Sequence, residues 1–179
     1  MFISERKAYV TREEHDESTI CIFAPGIIYQ DDKVSVEAFP VSHGTLESYA
    51  FRFVTADNKV IVISGDTAPL DIMAEKAKNC DLLLHEVEYS AGITVREPKW
   101  QKYHREVHTL SVDLAEIAKK ASPKQLVTYH RIYHMDVHAD ARNLKEEMAW
   151  RCDAILQEIR HAGYEGSVVN GQDLDIFSI

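Results

Sequence analysis

The run Val60-Ile61-Val62-Ile63 sets four β-branched residues side by side. A strand with one wet face alternates apolar and polar residues, so an unbroken run of this kind needs cover on both faces. Such strands belong to layered α/β folds. Asp81-Leu82-Leu83-Leu84 and Gln125 to Tyr129 read the same way. Ahead of them, Val34, Val36 and Ala38 alternate up to Val41, and Tyr49, Phe51 and Phe53 alternate after a Ser-His-Gly turn. Asp57-Asn58 then reads as a hairpin turn. Helical spacing fills the gaps: Leu70, Met73 and Ala77, then Leu110, Leu114, Ile117, Ala118 and Ala121 up to the stop at Ser122-Pro123. Residues 90–107 read as irregular. Asp140 is placed to cap a last long helix with the stripe Leu144, Met148, Ile155 and Ile159, and Gly163 to end it. Val168-Val169 and Leu174 to Ile176 read as closing strands. The alternation of strand and helix predicts an α/β fold. With no repeat and no Gly/Ser linker, residues 1–179 read as a single domain.

The chain has 179 residues, is 45% hydrophobic and carries a formal charge of −9. That balance argues against a broad footprint for phosphate backbones, so nucleic acid is expected to be an improbable partner. No apolar stretch is long enough to cross a bilayer, and the charged start MFISERKAYV lacks a signal-peptide core, which predicts a cytoplasmic protein without membrane contact. Cys21, Cys80 and Cys152 are odd in number and irregularly spaced, as expected of reduced thiols. Residues 4–18 are charged and aperiodic, and read as a surface excursion.

Chemistry gathers at strand ends. His43 follows Val34–Val41, Asp66 follows Val60–Ile63, Glu86 follows Leu82–Leu84, and His130 follows Leu126–Tyr129. Loops at the carboxyl ends of such strands are held rigidly yet reach solvent, so functional groups accumulate there. Two imidazoles and a carboxylate suit zinc, manganese or iron. His85 must face away from Glu86 and reads as a packing residue. His104 and His108 are four residues apart but enclose no glutamate of the zincin kind. Trp100 and Tyr103 either wall a substrate pocket or anchor an irregular loop.

Val41-Ser42-His43-Gly44, Ile63-Ser64-Gly65-Asp66-Thr67, Asp81 to Glu86, His108-Thr109 and Leu126 to His130 stand in the order found in metallo-β-lactamase-fold hydrolases. The sequence most resembles the branch that includes ribonuclease Z and arylsulfatase-like enzymes, from about Gly26 to the closing Val168 to Asp175. The resemblance implies an αββα sandwich and a hydrolase of ester, phosphodiester or sulfate-ester class that works through a water activated by two metal ions. It implies that His43 binds one metal, His130 the other, and that Asp66 bridges them. His108 resembles the histidine that protonates the leaving group, and Glu86 the glutamate that orients it. Taken without the resemblance, His108 reads equally as a turn residue and Glu86 as a strand-end ion pair.

One departure qualifies this. The family's His-x-His-x-Asp-His signature precedes these motifs, and nothing in residues 1–42 resembles it. His134-Met135-Asp136-Val137-His138 has the wrong spacing and position, and reads as a loop. The chain is therefore expected to be the C-terminal half of the sandwich, with reduced metal occupancy. Half a sandwich bares apolar faces, which predicts a homo-oligomer or pairing with a missing N-terminal half. Three functions compete: a metal-dependent hydrolase of a small-molecule or ester substrate, of ester, phosphodiester or sulfate-ester class and active if the missing half is supplied; a non-catalytic oligomerisation or binding module; and a ribonuclease Z-like RNA endonuclease.

Overall fold

A computed structural model describes residues 24–134 and 144–179 of the chain. Cys21, Asp140 and the charged segment 4–18 lie outside the described residues, as do residues 135–143, where a loop is expected. The strands are β1 (Gly26–Gln30), β2 (Val34–His43), β3 (Leu46–Thr55), β4 (Val60–Ile63), β5 (Leu82–Glu88), β6 (Gln125–Ile132) and β7 (Val168–Asn170). They form one sheet in the order of the sequence. The helices are α1 (Asp71–Lys76), α2 (Ser90–Thr94), α3 (Pro98–Val107), α4 (Ser111–Ala121) and α5 (Leu144–His161).

The sheet changes character in the middle. β1 to β4 are antiparallel and joined by short turns, with Gly44 at φ 65° between β2 and β3 and Asn58 at φ 63° between β3 and β4. β4 to β7 are parallel, so each connection is a crossover through helix. α1, α4 and α5 make those crossovers and pack side by side, α1 on α4 and α4 on α5. They cover one face, where the cross-strand row Val62, Leu83, Leu126 and Val168 meets Met73, Leu114, Ile155 and Ile159. The other face carries a second row, Ala38, Phe51, Ile63, Leu84, Val127 and Val169, in register across six strands. Both faces of the middle strands are apolar, which accounts for the unbroken runs in the sequence.

Three expectations change. Residues 90–107 are mostly helical, in α2 and α3. α3 begins at a proline, which is preorganised for a first turn, but it buries only Val107 and so shows no apolar stripe. Met148 is exposed, so the buried stripe of α5 reduces to Ile155 and Ile159. Leu174 and Ile176 are almost wholly exposed and lie in none of the described strands: β7 ends at Asn170, and the last backbone bond to β6 is Gly171 N–H to Thr128 O at 3.0 Å. No helix among the described residues is long and apolar enough to cross a membrane.

Cys80 sits fully buried at the foot of β5, and burial first, then the charge of Asp81, pushes its thiol up to about 12. A raised value favours the neutral form in the folded state, so this stability is intact below the ordinary thiol range and is lost as pH climbs toward about 12. Iodoacetamide at about pH 8.5 should leave Cys80 unmodified in the native protein and alkylate it in urea. Mass spectrometry of the peptide containing Cys80 reads the result.

Candidate metal centre

The parallel strands β4, β5 and β6 all end on one rim, and so does the β2–β3 hairpin, which is why residues far apart in sequence meet there. β4 hands over to Ser64, Gly65 and Asp66. Ser64 continues the ladder by donating its N–H to Leu84 O at 3.0 Å, while its hydroxyl accepts from Glu86 N at 3.0 Å. Gly65 then turns at φ 61°, and a β-carbon there would lie 2.6 Å from Tyr49 O. That close approach brings Asp66 up to β3, where its carbonyl accepts from the Ser48 hydroxyl at 3.0 Å.

His130 reaches the centre by another route. Glu86 pairs with Tyr129 and Val87 with Arg131, so His130 is the extra residue of a bulge, at φ 42°. β6 therefore does not stop at Tyr129, as the apolar run suggests, but carries His130 within it. A bulge re-aims one side chain out of the alternating pattern. Here it brings His130 Nε2 to 3.4 Å from Asp66 Oδ2.

Glu86 lies wholly buried between two loops. Its Oε1 accepts from the backbone N–H of Thr67 at 3.2 Å and of Thr109 at 2.9 Å. The Thr109 hydroxyl in turn donates to Thr67 O at 2.7 Å. His108, just before Thr109, has Nδ1 3.4 Å from the same carboxylate oxygen, a charge contact that is long for a hydrogen bond. Burial alone would lower this imidazole, but Glu86, with lesser help from Glu88 and Asp66, outweighs it and holds His108 above its ordinary value. His43, at the end of β2, donates from Nδ1 to Val107 O at 2.8 Å, which leaves Nε2 with a free lone pair. Its ring centre is 5.0 Å from that of His108.

Ligand atoms of Asp66, His108 and His130 lie within 4.8 Å of one another. Two imidazoles and a carboxylate at that spacing fit a divalent ion of the zinc class, with His43 alongside. The residues marked at strand ends therefore converge. The tight group differs from the set named by resemblance, in that His108 stands inside it and His43 at its edge. Glu88, His104 and His134, none of them marked as ligands in the sequence, form a second group of the same kind. A signal for it existed: Glu86 and Glu88 put two carboxylates at alternate positions of a strand that is otherwise covered. His85 is buried on the opposite side, its Nδ1 2.7 Å from Glu86 O, as its packing role requires.

The chain resembles ribonuclease Z of Anoxybacillus flavithermus, with 33% identity over 107 residues, which is 59% of this chain and 32% of that protein. Among solved structures it matches the metallo-β-lactamase fold protein YhfI from Bacillus subtilis with a TM-score of 0.61 at 20% identity, over 84% of this chain and 52% of that one. It also matches human tRNase Z, short form, with a TM-score of 0.55 at 21% identity, over 86% and 46%. No protein-family model matches. The fold is that of these metallo-β-lactamase structures, and its rim gathers residues of metal-binding type. In sequence the chain resembles ribonucleases Z. It spans between a third and three fifths of the length of the first of those relatives.

These relatives overturn the exclusion of nucleic acid drawn from net charge. A sum of −9 averages over the whole chain. α3, whose last turn leads into His108, carries Lys99, Lys102 and Arg105 together with Trp100 and Tyr103, which are 48% and 49% exposed. Local composition beside the site, not the total, governs contact with phosphate.

Gly65→Ala should cost about 1–3 kcal/mol, because an alanine at positive φ is strained and its methyl strikes a backbone oxygen. Urea unfolding should show the loss, and metal affinity should fall with it. An unchanged midpoint would mean that the turn is not as described.

Proposed function

We propose that the chain contributes to the metal centre of a hydrolase that cleaves phosphodiesters in RNA. The observation that carries this is the convergence on one point of Asp66 after β4 and His130 in the bulge of β6, with His108, at the end of α3, beside them. The names of the sequence relatives favour RNA over other esters. The exposed aromatic and basic residues of α3 support it, since bases stack on aromatic rings and phosphates pair with lysine and arginine.

In this reading Asp66, His130 and His43 would hold zinc or a similar ion. Bound metal supplies Lewis-acid polarisation and a nucleophile at neutral pH. A catalytic zinc keeps about three protein ligands and one open position for water, and these three residues would supply the ligands for one ion. His108 serves as proton donor to the departing oxygen. Glu86 is its positioning residue: two backbone N–H groups fix the carboxylate, and the carboxylate fixes the imidazole. Trp100, Tyr103 and the basic side chains of α3 would receive the substrate beside His108.

Metal content of the purified chain after zinc loading tests the ligands. About one ion or more per chain is expected, falling at least tenfold in Asp66→Ala and His130→Ala. A content near zero in all three defeats the reading. For the chemistry, cleavage of a labelled tRNA transcript should be metal-dependent and drop by roughly 100-fold or more in His108→Ala, with metal content retained. Turnover of p-nitrophenyl sulfate but not of RNA would move the substrate class to sulfate esters.

A further inference from the structure

We propose that Glu88, His104 and His134 form a second divalent-metal site, of the zinc class, distinct from the centre at Asp66 and independent of the function assigned to it. Glu88 ends β5, His104 lies in the last turn of α3, and His134 follows β6. Three separate elements thus present one carboxylate and two imidazoles whose ligand atoms lie within 4.8 Å of one another.

The state of the carboxylate points to a cation. Glu88 is completely buried. Both imidazoles converge on a single oxygen, His134 through Nε2 in close contact and His104 through Nδ1 at 3.0 Å. The other oxygen, Oε2, has no hydrogen-bond partner among the described residues, and neither has His104 Nδ1 in proper alignment. A buried carboxylate left with one bare oxygen is costly, because it has lost water and gained little in exchange. Among the described residues Glu86 also leaves Oε2 without a partner, but its Oε1 takes two backbone N–H groups, whereas Glu88 Oε1 meets only the two imidazoles. A divalent ion at the vertex would engage the carboxylate and both nitrogens together, giving three protein ligands and one open position, a common zinc arrangement.

The surroundings suit such a site in part. The rings of His104 and His134 meet edge to face with centres 4.8 Å apart, so two nitrogens can address one point without stacking. His134 is covered and His104 only partly exposed, which limits competition from water. Arg96 Nε donates to His134 Nδ1 at 3.4 Å, a long hydrogen bond that an ion on Nε2 would displace, since Nδ1 must then carry the ring proton, and its positive charge moderates the affinity for a cation. The ring of His104 is 5.9 Å from that of His108, so an ion here would sit beside the first centre and outside its ligand set.

The test removes the first centre and asks what remains. The chain carrying Asp66→Asn and His130→Ala is loaded with Co2+, desalted, and measured by elemental analysis and visible absorption. About one ion per chain should remain, with the ligand-field bands of a nitrogen and oxygen environment. Adding Glu88→Gln or His104→Ala should lower the retained metal at least tenfold while the circular dichroism spectrum is unchanged. Absence of metal from the folded double variant overturns the site, and so does retention that neither added substitution alters. If the combined variants do not fold, His104→Ala alone decides, since His104 is partly exposed: total metal should fall by one ion per chain, and an unchanged total overturns the proposal. Failure of the Asp66 centre reads differently, as no loss of metal between the unaltered chain and Asp66→Asn, His130→Ala.

Discussion

The carboxylate of Glu86 holds the rim together. One of its oxygens takes the backbone N–H of Thr67 and of Thr109, so the loop bearing Asp66 and the loop bearing His108 hang from a single buried group. Hydrogen bonds to a charged acceptor in such a place are worth about 1.5–3 kcal/mol each, enough to hold a loop against the entropy of a few residues. The hydroxyl of Thr109 closes the same circuit on Thr67 O. Without this tie the ligand side chains would sit on two unconnected loops, and a metal centre tolerates little looseness in its ligands.

The geometry of the sheet explains why the tie can exist. Parallel strands bring their carboxyl ends to one edge, and β4, β5 and β6 lie next to one another there. Glu86 is therefore within one strand spacing of both the β4 exit and the loop before α4. The crossover helices pack on the far face and leave this rim open. The fold supplies the convergence, and local irregularities do the aiming. Gly65 turns Asp66 against β3, and the bulge at His130 lifts one imidazole out of the ladder.

Much of this was legible in the sequence. The unbroken apolar runs marked the central strands because both faces of the sheet are apolar, and the polar residues after them marked the rim. The bulge was not legible, since it is defined only by the pairing of β6 with β5. α3 escaped because its single buried residue, Val107, leaves no periodic stripe to read. Glu88 drew no reading from the sequence, although a second carboxylate two positions after Glu86 in a covered strand is itself a departure from burial rules. Net charge was no ground for excluding nucleic acid, because it is a sum over the chain, whereas contact with phosphate depends on a few local residues.

The central claim is that Asp66 and His130 are first-hand metal ligands brought together by this rim. Crystals grown with zinc, with diffraction recorded on either side of the zinc absorption edge, test it most directly. The account predicts an anomalous peak within about 2.3 Å of Asp66 Oδ2 and His130 Nε2, the distance of a zinc–oxygen or zinc–nitrogen bond. A well-ordered Asp66–His130 pair with no anomalous density between them in zinc-loaded crystals would contradict it.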